Sequence, residues 1–435
     1  MAKEQGNRRY ASIVVLMCCM AAATIGVAQN TPGVFYAPVS EDLGVLTGTY
    51  SFFGTMQLLA IALMSLVVPR LLKTFGIKWM VLMSMFCMTV STVVLAFATS
   101  IRIIFLCGAI RGVGCALCAN IPITIIINNW FKAKNGTATS IALSFSGLAG
   151  AVFSPVLTWS IGALGWRIAY LVQAGILVAC MLPPLIMPLH VTPQEEGLLP
   201  LGDEPSEPAP RPQAAKKAKS GPRIGVAGAS AAAAKTSAAD VPFAFKSVGF
   251  ICFASFVFMH CLITGLAQHI SGYAQSIGMT AGFGALLLSL SMVGNILSKL
   301  IIGMLTDKLG ALRSSLVMLG VNVAALVLIL LGARTATRWM LVVGSLLYGS
   351  VYAVAAVGIA LLTRKFFGDS NYSKAYPTLS FISSIGCAVA IPAIGYVFDF
   401  TGAYDYAVIA CLAIHAIDLA LIVRASRATQ AQLAA

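Results

Sequence analysis

Charge is what this sequence holds least of. Only 10% of its 435 residues are Asp, Glu, Lys or Arg, and acids number half the bases, 14 against 28. With 59% of its residues apolar, the chain carries more apolar side chain than one soluble core can hide, so lipid has to be the missing solvent. A nucleophile paired with a base, a cluster of metal ligands and a phosphate loop are all absent from the sequence pattern, which argues against an enzyme and against any cofactor or metal. The eleven cysteines all fall within apolar runs, where a thiol behaves as a small apolar filler. No disulfide framework follows, and Cys115 and Cys118, although at CxxC spacing, read as packing residues.

What the chain does have is apolar runs of the length a bilayer demands. A spanning helix needs about 20 mostly apolar residues, because lipid offers backbone N–H and C=O groups no partner and the helix must pair them internally. Twelve runs qualify, at 12–36, 48–69, 79–99, 103–127, 138–162, 168–189, 247–273, 282–305, 314–333, 339–362, 376–398 and 405–424. The first follows Lys3, Arg8 and Arg9 and holds the small residues Gly26-Val27-Ala28, a pattern that also suits a signal peptide cleaved after Ala28. We read it as a retained first helix, since its loss would spoil the symmetry described below.

The net charge of +14 is concentrated on one side of these helices. Arg102, Arg167, Arg334 and Arg338 fall in the loops of one side, Arg111 and Lys299 lie inside helices, and the other basic residues fall in the loops and ends of the opposite side. The positive-inside rule then puts both termini and the 190–246 segment in the cytoplasm of a multi-pass inner (plasma) membrane protein. This distribution explains the charge without nucleic acid. Residues 190–246 are polar, rich in Pro, Ala and Lys, and read as a disordered cytoplasmic tether. They separate a bundle at 1–189 from one at 247–435.

The two bundles repeat one plan. Asn129-Trp130-Phe131-Lys132 follows the fourth run and Arg364-Lys365-Phe366-Phe367 the tenth. Each is followed by a small-residue helix with a late proline, bearing Gly147, Gly150 and Pro155 in one half and Gly386 and Pro392 in the other. The expected architecture is an all-α membrane protein of twelve transmembrane helices in two six-helix, pseudo-symmetric bundles. Parallel repeats of this kind place a substrate between the halves near mid-membrane.

The segment from Gly303 to Gly310 (GMLTDKLG), followed by Arg313, joins the eighth and ninth runs. Its glycines permit a tight turn and close helix approach, and Asp307 can hold helix ends or a neighbouring cation. This resembles the signature between the second and third helices of a half in the major facilitator family. The resemblance implies a gating role for Gly303, Asp307, Gly310 and Arg313. The matching first-half segment, Pro69 to Lys78, keeps Gly76 but lacks the Asp. Arg111, in Arg111-Gly112-Val113-Gly114, resembles the family's fourth-helix arginine motif, and a charge at that depth is costly unless it faces water or a partner. Lys299, four residues before Gly303, occupies a position that resembles the substrate-binding arginine in the eighth helix of the oxalate/formate antiporter and monocarboxylate porter families. The likeness extends over nearly the whole chain outside 190–246. Three departures stand out: Lys replaces Arg; Asn295 stands where proton-coupled porters carry Asp, with Asn30 in place of their first-helix Lys; and the eleventh helix lacks the interior Lys of oxalate carriers, Lys374 lying at its mouth.

The resulting expectation is a secondary transporter of a small organic anion, a mono- or dicarboxylate, working as a monomer by alternating access. Arg111 and Lys299 would each contribute a positive charge, with Asn295, Asn30, Asn120, Tyr348 and Tyr352 lining the path. Gln29, Gln268 and His269 lie on helices that could line it too. A coupled proton or counter-anion fits the same scheme, and His260 and Asp418 are the candidates to carry the proton. His415 and Asp418, three residues apart, read as a structural pair. The alternatives are efflux of an apolar or aromatic compound and, more remotely, a non-transporting membrane sensor.

Overall fold

The computed structural model describes residues 2–118, 120–131, 135–187, 190–196, 198 and 245–434. Most of the expected tether therefore lies outside the described residues. Its first residues are ordered against the N-terminal half: Trp130 Nε1 donates to the His190 carbonyl at 2.9 Å and Asn129 Nδ2 to that of Val191 at 3.1 Å.

We number the long helices α1 (Ala2–Asn30), α2 (Thr47–Ser65), α3 (Val68–Ala96), α4 (Ile101–Cys118 and Asn120–Trp130), α5 (Asn135–Leu164) and α6 (Trp166–Ile186). The second half holds α7 (Val248–Ile263 and Leu266–Ser276), α8 (Ala281–Leu309), α9 (Ala311–Arg334), α10 (Arg338–Gly368), α11 (Lys374–Thr401) and α12 (Asp405–Ala434). Among the described residues, eleven helices are long and apolar enough to cross a membrane. α2 is the twelfth, and Thr47, Thr49, Ser51, Thr55 and Gln57 lower its hydropathy. The side chains of Thr49, Ser51, Thr55 and Gln57 all have partners, those of Thr49 and Thr55 in the other half, so the helix remains compatible with lipid on its far face.

The internal repeat is visible in the backbone. Gly76, within α3, and Gly310, between α8 and α9, adopt the same conformation, φ 74°, ψ 169° and φ 79°, ψ 160°. Only a residue without Cβ enters this region readily, so each is the sharp turn that the sequence motif anticipated. Gly303 differs from expectation: no atom lies near where its Cβ would be, so it mediates no close approach. That role falls to Gly294 and Gly349, where a Cβ on Gly294 would sit 1.8 Å from the Leu346 carbonyl oxygen.

α1 packs on α5, α2 on α4, and α3 on α4 and α6, while α7 packs on α12 and α11 and α10 packs on α8 and α9. The halves meet through α2 with α11 and α5 with α8. One end of the bundle shares a core, in which Tyr36, Phe53 and Tyr170 join Ile263, Leu266, Ile391 and Tyr404. At the other end, where the chain termini lie, each half has its own core. One is built from residues such as Val14, Met80, Trp130 and Ala142, the other from Phe253, Ile302, Met318 and Leu362. The molecule is thus closed at one end and split at the other.

Candidate functional site

Two helix termini lock the closed end. Asp399 at the end of α11 accepts from the amides of Thr47 and Gly48, the first residues of α2, at 3.1 and 2.7 Å. These amides have no partner within α2, and its dipole favours an anion at that place. Gly48 and Gly395 allow the two helices to touch there, and Thr49 Oγ1 lies 3.2 Å from the Tyr396 hydroxyl. Deeper in, Thr55 Oγ1 donates to the Ala388 carbonyl at 2.6 Å, and Ser289 Oγ to that of Ala151 at 2.8 Å.

Beneath this lock lies a cavity of about 140 Å³ between the halves. Gln29, Asn30, Gln57 and Tyr36 line it from the first half, and Thr264, Gln268, Tyr352 and Cys387 from the second. Gln268 bridges the halves, its Nε2 donating to the Gln29 carbonyl at 3.0 Å and its Oε1 accepting from the Gly33 amide at 3.1 Å. Asn30 is held by its donation to the Ser146 carbonyl at 2.9 Å. The wall carries amides, hydroxyls and a thiol, and neither a carboxylate nor a basic side chain is among its lining residues.

Of the expected site residues, Asn30 and Tyr352 reach this cavity, with Gln29 and Gln268. Arg111 and Lys299 do not line it. Arg111 is fully buried in the N-terminal half, its guanidinium 5.7 Å from the centre of the Phe53 ring. Its Nε and Nη2 atoms have no hydrogen-bond partner. Only α2 separates it from the cavity, since Gly112 is pressed against the Gln57 carbonyl and Gly54 and Gln57 are wall residues. Lys299 is half-buried on α8, one turn past Ile296, which abuts Gly147 of α5 across the half boundary. It therefore sits where the halves begin to part.

Asn295 is buried one turn closer to the lock, with its Oδ1 unpartnered. Tyr348 is spoken for: its hydroxyl donates to the Ile263 carbonyl, which makes it a brace between α10 and α7. Asn120 opens the second segment of α4, and its side chain lies outside the described residues. Asp307 and Arg313 are exposed at the split end. His269 is also committed, with Nε2 donating to the Ile391 carbonyl at 2.8 Å.

The pair expected of His415 and Asp418 is present and larger than anticipated. His260 of α7 joins it, its Nδ1 3.2 Å from Asp418 Oδ2, while His415 Nδ1 lies 3.6 Å from the same oxygen.

Gln57, Thr264 and Cys387 were not anticipated as wall residues. Gln57 had a signal, as the one long polar side chain in the body of α2. Asp399, at the end of α11, carries no signal in its own helix of the helix it caps.

Comparisons with known proteins agree with this architecture. The family model described as Major Facilitator Superfamily matches residues 16–390 and 248–434. Monocarboxylate transporter 12 of Xenopus laevis is 25% identical over 320 residues, covering 72% of this chain and 66% of the relative. The human protein of that name is 25% identical over 327 residues, covering 73% and 61%. The alignments thus span about two thirds of the length of these relatives. Among solved structures, the nucleoside transporter NupG superposes with a TM-score of 0.68 at 11% identity, covering 97% of this chain and 99% of its own. An inward-facing bacterial homologue of the human lysosomal transporter Spinster gives 0.59 at 14% identity, covering 97% and 95%. With a twelve-helix bundle, a repeated turn glycine and a family match running through both halves, the chain belongs to the Major Facilitator Superfamily.

Proposed function

We propose that this protein is a secondary carrier of a small organic anion of the monocarboxylate class, and that the split end faces the cytoplasm. The observation that carries the reading is the sign of the buried charge near the half boundary. Arg111 is fully buried with two unsatisfied donors, Lys299 has no ion-pair partner among the described residues, and the cavity wall offers no carboxylate. A buried guanidinium without a partner is strongly unfavourable and favours anions nearby. The names of the relatives point to the same substrate class.

The cavity wall supplies the second element. Gln29, Asn30, Gln57 and Tyr352 can donate to carboxylate oxygens without adding charge, so a small acid would be held by neutral donors within the field of Arg111. Its size favours a substrate of a few heavy atoms. Alternating access follows from the closed end. Breaking the Asp399 cap and the Gln268 bridge frees α2 from α11 and α7 from α1, and the halves can then meet at the split end instead. Lys299, at the parting of the halves, would guide an anion in or out.

Uptake of radiolabelled monocarboxylates into proteoliposomes tests the reading, with the wild type, Lys299→Ala and Lys299→Arg compared. Transport should fall strongly in the alanine variant and be partly retained in the arginine variant, which keeps the charge but changes its shape. Equal uptake by all three, from stably inserted protein, removes Lys299 from the anion path. Transport of apolar compounds with no response to carboxylates favours efflux and removes the proposal.

A further inference from the structure

The cavity and Arg111 leave unexplained a polar cluster inside the C-terminal half. His260, His415 and Asp418 are at most 1% exposed, and one ligand atom from each lies within 4.8 Å of the others. They come from α7 and α12, far apart in sequence, so the fold assembled them.

Their partners fix the proton positions. His260 Nε2 lies 3.1 Å from the Val351 carbonyl; a carbonyl only accepts, so this nitrogen carries hydrogen. Asn322 Nδ2 donates to the Tyr348 carbonyl at 3.0 Å and to Ser350 Oγ at 3.2 Å. Its Oδ1 must therefore be the atom facing His415 Nε2, at 2.8 Å, and His415 Nε2 also carries hydrogen. Each imidazole thus turns Nδ1 toward one carboxylate. In neutral histidine that nitrogen is a lone pair, and a lone pair 3.2 Å from a carboxylate oxygen in a dry interior is repulsive. One proton between His260 Nδ1 and Asp418 Oδ2 removes the repulsion, and it makes the whole cluster neutral. The second imidazole, with its Nδ1 and Asp418 Oδ1 both unpartnered, offers a further place for the proton.

The cluster stands directly behind the cavity wall. His260 is one turn from Thr264, and its carbonyl partner Val351 precedes Tyr352; both Thr264 and Tyr352 line the cavity. The titratable groups nearest to it on the surrounding elements are the thiols of Cys261 on α7, Cys387 on α11 and Cys411 on α12 and the hydroxyls of Tyr348 and Tyr352 on α10. None of these is basic, and among the described residues Asp418 pairs only with the two histidines.

We propose that His260, Asp418 and His415 form a proton-binding site in the C-terminal half, holding one shared proton whose loss or gain is felt at the cavity through α7 and α10. The site stands on its own hydrogen-bond geometry and does not depend on which substrate the cavity takes. A divalent ion is the rival occupant. It would leave a net positive charge in an apolar interior, whereas the proton leaves none.

Infrared difference spectroscopy of the purified protein in nanodiscs, across a pH titration and with metal content measured alongside, tests the site without any substrate. The wild type should show a carboxyl or carboxylate band that responds to pH and to exchange into heavy water. The band should vanish in Asp418→Asn, return shifted in Asp418→Glu, and move in both His260→Gln and His415→Gln, which cover the case in which Asp418→Asn fails to fold. An unchanged band in folded Asp418→Asn, or in both histidine variants, overturns the proposal. So does a stoichiometric metal ion that chelation removes together with the band.

Discussion

The two halves of the molecule share a plan and bury opposite kinds of polar group. The N-terminal half encloses Arg111, a full charge with donors to spare, whereas the C-terminal half encloses a histidine–carboxylate cluster whose partners come from four helices. Both sit behind the same cavity. The same backbone repeat, down to the turn at Gly76 and Gly310, therefore supports an unsatisfied charge on one side and an almost completed network on the other. The first arrangement is costly to folding and has value only if something charged arrives; the second holds the fold together.

This contrast predicts opposite responses to removing a polar group. Replacing Arg111 with Met should abolish anion transport while raising stability on the order of 1–4 kcal/mol, because an uncompensated buried charge gives way to apolar packing. Uptake and thermal unfolding of the same preparation check it, and a destabilised Arg111→Met variant breaks the comparison. In the other half, Asn322→Leu should lower stability by about 1–3 kcal/mol, since it strands His415 Nε2 and the Tyr348 carbonyl. Unfolding in the same detergent reads the sign directly.

Smaller effects sharpen the comparison where the halves agree. Gly76→Ala and Gly310→Ala should each cost about 1 kcal/mol, to a similar extent, because both residues occupy positive φ. A marked inequality between them would show that the turns are equivalent in shape but not in load. Asp399→Asn removes the charge that caps α2 across the half boundary and should weaken the closed end by about 0.3–1 kcal/mol. Hydrogen exchange at the amides of Thr47 and Gly48 should then quicken by up to a few-fold.

The fold was largely legible in the sequence. Lipid allows few backbone solutions, so the length of an apolar run almost decides its structure, and the exception is instructive. α2 looks weak as a membrane span in part because Thr49 and Thr55 are polar, and both hydroxyls bond to α11. The site was less legible. Arg111 and Lys299 stood out as charges at depth, but which side chains share a cavity depends on the register between helices of different halves. No periodicity within one helix reports that register. Asn30 and Tyr352 share one cavity wall and Tyr348 does not, although it lies one turn from Tyr352, because its hydroxyl is turned to the Ile263 carbonyl. His260 and Asp418 were singled out for being titratable, yet their meeting with His415 across α7 and α12 was beyond sequence reasoning.

Recognition of the substrate by its negative charge is the core of the proposed function. It is tested most directly by competition in proteoliposomes, in which uptake of a labelled monocarboxylate is challenged with the unlabelled acid and with its uncharged methyl ester. The acid should compete and the ester should not, although the two share nearly all their atoms. Equal competition by the ester would show that the cavity reads shape and apolar surface, and the assignment to organic anions would be wrong.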